Sequence, residues 1–299
     1  KPAGEGNQTR YLLRYKFTPG ESICWNVVDH VKNTIIVSGA DRNVEAISRS
    51  QKIWRILGTD EKGNHRFEHV VENIEMTQTV DGQTQKFDSR VDTDLEAVDP
   101  LFKSVAESVG EPLFNITLND RGEVIERNIL RPTAYKESDG MITLVFPEEP
   151  IAIGETWSYP EDVFVRDGNV AKKIKTQKKY KLEDVQSDIA TVRVAFQVLT
   201  PIHDPAIESQ IIQRYQTGKV RFDILAGRVI SQRMDLDKTV IGMRGDTSSL
   251  TYNKRFTEEL NIEGCKTAGS ASTQTAGAIS GSENNVRSAA LPNENLPAE

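Results

Sequence analysis

The chain is poor in the residues that most often staple a fold or carry chemistry. Its 299 residues include two cysteines, four histidines and three tryptophans. Two cysteines are too few for a disulfide-dense scaffold and too few for a structural zinc site. No apolar run reaches the ~18 residues that a membrane-spanning helix needs. No glycine-rich phosphate cradle and no Gly-x-Ser-x-Gly elbow occurs, so neither nucleotide chemistry nor an α/β-hydrolase nucleophile is indicated. The formal net charge of -7 disfavours nucleic acid, whose binding would need a local basic patch. The best such patch is Lys172 to Lys181. There Lys173, Lys175, Gln177 and Lys179 alternate with Ile174, Thr176, Lys178 and Tyr180, which reads as one solvated strand face. No cofactor is expected.

Cys24 and Cys265 lie near the two ends of the patterned region. Two readings stay open. They form a disulfide that staples those ends, or they are one buried thiol and one exposed thiol at the root of a tail. The chain starts at Lys1 with no hydrophobic leader, so a signal peptide is expected to have been removed. With that goes an expected periplasmic, secreted or cell-envelope location.

What is present is alternation. Tyr11, Leu13, Tyr15 and Phe17 alternate, then Pro19-Gly20 turns the chain into Ile23, Trp25 and Val27. Further strands are expected at 34–38, 44–57 and 67–80, with turns at Asp60 to Asn64 and Asp81-Gly82. The period then changes. Asp99 can cap a helix that Pro100 opens, with Leu101, Phe102, Val105, Ala106 and Val109 as its stripe and Gly110 as its end. A second helix is expected from Asp204-Pro205 to Gly218, with Ile207, Ile211, Ile212 and Tyr215 inward.

Three features recur in the same order. Gly20-Glu21-Ser22-Ile23-Cys24-Trp25 returns as Gly154-Glu155-Thr156-Trp157-Ser158-Tyr159, and Asp99-Pro100 as Asp204-Pro205. The hairpin around Gly122 returns around Gly227. Trp25 then matches Tyr159, and Trp54 matches Tyr180. These echoes predict a mainly β (α+β) fold with two related halves of curved antiparallel sheet, each with a short covering helix. The expected divisions are a loose terminus at 1–10, a first β-rich repeat at 11–146, a second at 147–263, and a disordered or partner-bound tail at 264–299.

Candidate sites are sparse. His65 and His69 sit on a strand, where i and i+4 lie about 13 Å apart, so they cannot share a metal and are expected to be exposed. No metal site is expected. Carboxylates cluster as Asp88, Asp92 and Asp94 and as Asp235 and Asp237, which read first as solvated strand faces. Phe102, Val105, Ile207 and Ile211 are the candidate lining of an apolar ligand site between sheet and helices.

The stretch Phe146-Pro147-x-x-Pro150-Ile151-x-Ile153-Gly154-Glu155-x-Trp157, with Leu13-Arg14-Tyr15-Lys16-Phe17-x-Pro19-Gly20-Glu21, resembles a family of uncharacterised exported bacterial proteins of planctomycete type. More distantly, a long meander curving over helices is similar to lipoprotein-carrier half-barrels. The resemblance implies no catalytic residues. The leading expectation is a non-enzymatic envelope module, binding or structural, that meets a protein partner or itself, in part through the tail. The alternative is a carrier of a lipid or other apolar ligand. The third is a hydrolase of an envelope polymer that uses Asp92, Asp94, Asp235 or Asp237.

Overall fold

The computed structural model describes residues 8–131, 144–168 and 170–265. The fold is mainly β, as the alternation predicts. Its strands are β1 Arg10–Tyr11, β2 Ser22–Val37, β3 Ala40–Thr59, β4 His65–Val80, β5 Gln83–Asp88, β6 Pro112–Leu118 and β7 Val124–Ile129. There follow β8 Ile151–Ala152, β9 Thr156–Pro160, β10 Val163–Asp167, β11 Val170–Ile174, β12 Thr176–Gln186, β13 Ile189–Val198, β14 Thr217–Asp223, β15 Arg228–Ile241 and β16 Ser249–Leu260. Helix α1 is Lys103–Ala106, and α2 is Pro205–Gln210, continued by a 3-10 turn at Ile212–Arg214.

One 12-stranded antiparallel sheet takes in both halves, in the order β7-β6-β4-β3-β2-β16-β15-β14-β13-β12-β9, with β5 on the far part of β4. The halves join where β16 pairs with β2 along its whole length, from Ser249 opposite Ile36 to Leu260 opposite Trp25. Three hairpins turn on two residues with positive φ, at Ser38-Gly39, Asp81-Gly82 and Ser187-Asp188. That geometry matches the right-handed twist of the flanking strands.

A single apolar cluster draws on β6 at one end of the sheet and β12 at the other, so the sheet curls around it. The chain plugs the curl with two of its own segments. Tyr15 and Phe17 stack at 5.8 Å, and the Tyr15 ring lies 5.2 Å from Phe146 and 5.4 Å from Phe222. Tyr15 N–H donates to Asp120 O at 2.7 Å and Lys16 N–H to Gly227 O at 3.0 Å, so the N-terminal segment is strapped across the hairpin turns of both halves. Two glycines make room for the strap. A Cβ on Gly122 would come within 2.5 Å of the Tyr15 ring, and one on Gly227 within 2.5 Å of Lys16 N. The second segment closes the sheet's two ends: Phe146 N–H donates to Arg121 O, and Trp157 Nε1 donates to Val145 O at 2.7 Å.

Several expectations need correction. The first helix is only one turn long: Asp99 accepts from Leu101 N–H and from the Gln85 amide, but the helix starts only at Lys103, with Phe102 at its N-cap position. Asp204 does cap α2 through Ala206 N–H at 2.8 Å, but the helix stops at Gln210. The basic run Lys172 to Lys181, expected as one strand face, breaks at Lys175, and its first part pairs with β10 in a separate hairpin. His65 and His69 are buried, not exposed, because both point into the curl. The expected tail at 264–299 and the loose start at 1–10 lie almost wholly outside the described residues.

Candidate binding face

The inner face of the sheet has a sealed part and a half-open part. Its charge sits at the boundary. Trp25 and Lys52 are register partners, as are Trp54 and His69. Trp25 and Trp54 meet edge to face at 4.8 Å, and the Lys52 ammonium lies over both rings, at 4.5 and 5.0 Å from their centroids. Lys52 forms a salt bridge with Glu258 of β16, which is 2% exposed and also accepts from Gln232. Burial lowers the Lys52 ammonium to about 7. Burial also lowers His69, to about 3, helped by the charges of Lys52 and Arg127. Arg127 in turn stacks on Phe114 at 4.2 Å. Lys52 faces inward by the plain alternation of β3, two residues before Trp54, while the extra residue of the bulge opposite it, Glu72, lies on β4.

Beyond this group the same face opens. Ser50 lies between Val27 and Ile74, Ser48 between Asp29 and Met76, and Ala46 between Val31 and Gln78. These small residues form a low floor, and all are partly exposed. One wall is Phe87, stacked on Phe102 at 5.8 Å. The other carries Phe256 and the Lys254–Asp29 ion pair at 2.9 Å. The strip is therefore apolar on the Phe87 side, while on the other side the Asp29–Lys254 pair sits among Val27, Val31 and Phe256.

The four expected lining residues do not share one chamber. Phe102 is buried in the main cluster, and Val105 packs partly buried against it. Ile207 and Ile211 belong to a second cluster with Val163, Val165 and Ile174. A cleft of about 150 Å³ beside that cluster is edged by Asp167, Lys172, Ile202, His203 and Ile207. It is smaller than the ~300–1,000 Å³ of a typical ligand pocket.

The carboxylate candidates have structural occupations. Asp92 accepts from Asp88 N–H and Asp94 from Glu96 N–H, both within turns. Asp235 holds Arg233 and Arg255 on the outer face. No group of three or more His, Cys, Asp or Glu that could hold a metal occurs among the described residues. Lys173 pairs with Asp162 and Lys178 with Glu161, so the basic run is partly neutralised. Cys24 and Cys265 are joined in a disulfide with a Cα–Cα distance of 5.5 Å. It covers Ile53 and Val70 on the outer face and ties the end of β16 to the start of β2. No helix among the described residues is long and apolar enough to cross a membrane.

No family model matches the chain, and no curated protein matches it. Solved structures give distant likenesses. A structure of lipid–protein interactions in lipovitellin is similar over 82% of this chain at 8% identity, with a TM-score of 0.43. The chain spans 25% of that protein's length. DynF from the dynemicin biosynthesis pathway of Micromonospora chersina is similar over 88% of this chain and 95% of its own, at 8% identity and a TM-score of 0.21. A DUF1329 family protein from Desulfovibrio piger is similar over 80% of this chain and 86% of its own, at 6% identity and a TM-score of 0.15. At these scores none carries a function over to this chain.

Proposed function

We propose that this chain is a non-catalytic binding module of an oxidising, extracytoplasmic compartment. Its inner strip receives an apolar, extended segment of a protein partner. One observation carries the reading: the apolar inner face continues past the sealed core as a half-covered strip floored by Ser48, Ser50 and Ala46. Small residues at matched positions on one strand leave room that Val27, Val31, Met76 and Phe256 border. The disulfide supports the compartment, since such bonds persist in oxidising surroundings. The resemblance of the Phe146 to Trp157 stretch to exported proteins of planctomycete type points the same way.

Transport of a lipid is the second reading, favoured by the curl of the sheet around one continuous apolar face. It requires the plug of Tyr15 and Phe146 to leave, because these side chains occupy the space that a bulky cargo would take.

A photo-crosslinking side chain placed at Ser48 or Ser50, with Thr257 on the outer face as control, tests both in the native host. A single protein adduct from the strip and none from Thr257 is the expected result. An adduct of a few hundred daltons, identified as lipid by mass spectrometry, would replace the module reading with the carrier. Equal labelling from both faces would remove the strip from either.

A further inference from the structure

Strand β7 is an open sheet edge. Among the described residues it pairs with β6 and with no other strand. Its side chains are unusually apolar for such a place: Val124 is 47% exposed, Ile125 57%, Ile129 51% and Leu130 46%. Exposed apolar edge strands template pairing with another strand, and soluble proteins normally blunt them with charge or proline.

The register tells which backbone groups are available. Leu130 N–H donates to Leu113 O at 2.9 Å, and Asn128 and Glu126 stand opposite Asn115 and Thr117 in the same ladder. Even-numbered residues thus turn their peptide groups toward β6. Arg127 and Ile129 turn theirs outward, because antiparallel ladders alternate in this way. The equivalent strand of the other half is not left open. By register, Arg127 opposite Ile116 corresponds to Gln232 opposite Val220, and the outer edge of β15 at Gln232 is taken by β16. The position that β16 fills in one half is unfilled by any described strand in the other.

We propose that a second copy of this chain fills it, β7 against β7, about a two-fold axis through Arg127. The apolar and polar pattern of residues 124–130 is symmetric about Arg127. Across that axis Ile125 meets Ile129, Val124 meets Leu130 and Glu126 meets Asn128, so apolar faces apolar and polar faces polar. Glu126 and Asn128 already accept and donate to each other within one strand at 3.1 Å, and the same pairing is available between strands. The Arg127 guanidinium is held over the Phe114 ring of its own sheet, at 4.2 Å, so two copies do not press their charges together at the axis. The outward N–H and C=O groups of Arg127 pair across the axis, and those of Ile129 face the second copy's Ile125, the extra residue of the bulge beside Glu126. The result is a continuous sheet running through two molecules, with both inner strips on the same side. A two-fold, isologous contact closes on itself and does not grow into a fibre.

Sedimentation velocity of the full chain over a wide concentration range, with crosslinking of cysteine variants, tests this. Wild type is expected to move from monomer to dimer with concentration. Ile129→Lys is expected to stay monomeric with unchanged circular dichroism. Leu225→Lys, at an apolar residue that is 68% exposed on a different turn, is expected to dimerise like wild type. Under mild oxidation Glu126→Cys and Asn128→Cys, each alone, should not crosslink, whereas an equal mixture of the two should, because paired positions of this type lie about 4.5 Å apart at Cα. A wild type that is monomeric throughout overturns the proposal. So does a dimer that survives Ile129→Lys, or one in which each single variant crosslinks to itself. None of these outcomes touches the reading of the inner strip, which lies on different strands.

Discussion

The two halves use one local device and put it to different ends. In the first, Gly20 N–H donates to Ile56 O, Ile56 N–H to Glu21 O, and the Glu21 carboxylate accepts from Thr18 N–H. In the second, Gly154 N–H donates to Leu182 O, Leu182 N–H to Glu155 O, and the Glu155 carboxylate accepts from Ala152 N–H. The inner-face register follows: Ile23 with Trp54 and Trp25 with Lys52 in one, Trp157 with Tyr180 and Tyr159 with Lys178 in the other. Yet the first half has long strands and, among the described residues, ends in an open edge. The second half has shorter leading strands and adds β16, which has no counterpart among the described residues of the first and joins the halves by pairing with β2. The lesson is that the joint, not the repeated turn, decides which side chains are sealed. Lys52 and Lys178 occupy equivalent places, but Lys52 faces Glu258 of β16 in the interior, whereas Lys178 holds Glu161 with both side chains 23% exposed.

The largest way to break this comparison is to unlock the joint. Cys24→Ala with Cys265→Ala removes a bond that closes a separation of 241 residues. In the chain-entropy model that costs about 5 kcal/mol. Urea unfolding followed by tryptophan fluorescence measures it. A loss near zero would mean that β16 holds β2 without the staple.

Next come the paired lysines. At about pH 6, below the value of about 7 to which burial lowers its ammonium, Lys52→Met leaves the buried Glu258 carboxylate uncompensated. Breaking a buried pair in this way costs about 3–5 kcal/mol. Lys178→Met leaves Glu161 with Arg214 at 2.6 Å and should cost at most about 1 kcal/mol. Lys52→Met with Glu258→Leu should recover most of the first loss, since an ion pair replaced whole by apolar groups is often neutral. Equal costs for the two single changes would show that the joint does not set burial.

A third difference is one of pH. His69 and Val194 are equivalent by register, opposite Trp54 and Tyr180. His69 is neutral in the fold, lowered to about 3 mainly by burial and then by Lys52 and Arg127. The unfolded chain binds a proton below about 6.5 that the native state refuses until about 3. Stability is therefore fully present above 6.5 and falls as the pH drops through that window, by at most about 1.4 kcal/mol per unit. His69→Val should flatten the slope between about pH 6.5 and 5, where carboxylates add little. Parallel slopes for wild type and variant would show that His69 is protonated in the fold.

Much of the frame was legible in the sequence, because a period of two and a Gly-Glu turn are local signals. Asp81-Gly82 marks its own hairpin, and Gly154-Glu155 repeats Gly20-Glu21 down to the carboxylate's acceptor role. The joint was not legible. Pairing of β16 with β2 links residues that are far apart in the chain, and nothing in either strand alone names its mate. Inward charge was hidden for a second reason. Alternation puts Lys52 on the Trp54 face, but nothing near it in the chain announces the Glu258 partner on β16 that lets a lysine sit in the interior. His65 and His69 misled likewise: alternation put them on one face together but did not say that the face was the inner one. The helices came out short, since α1 starts only at Lys103 and the chain after Gln210 continues as a 3-10 turn, and apolar spacing alone does not fix where a helix starts or stops.

The finest comparison returns to the shared turn. Glu21→Ala and Glu155→Ala each leave a backbone N–H without its carboxylate, at Thr18 and Ala152 respectively. Each variant therefore loses one charge-assisted hydrogen bond to the backbone. Their second partners differ. Glu155 pairs with Arg10 at 2.9 Å, with side chains 43% and 51% exposed, where solvent screens most of the attraction. Glu21 pairs with Arg228 of β15 at 3.1 Å, with side chains 22% and 23% exposed, and so reaches from the first half to the second. Glu21→Ala should therefore destabilise the fold more than Glu155→Ala. Salt sharpens the test, because screening acts more on the exposed pair. At high ionic strength the cost of Glu155→Ala should shrink, while that of Glu21→Ala holds. If both costs shrink together, the contact across the joint is no better protected than the one at the surface, and the turn alone accounts for what the two glutamates do.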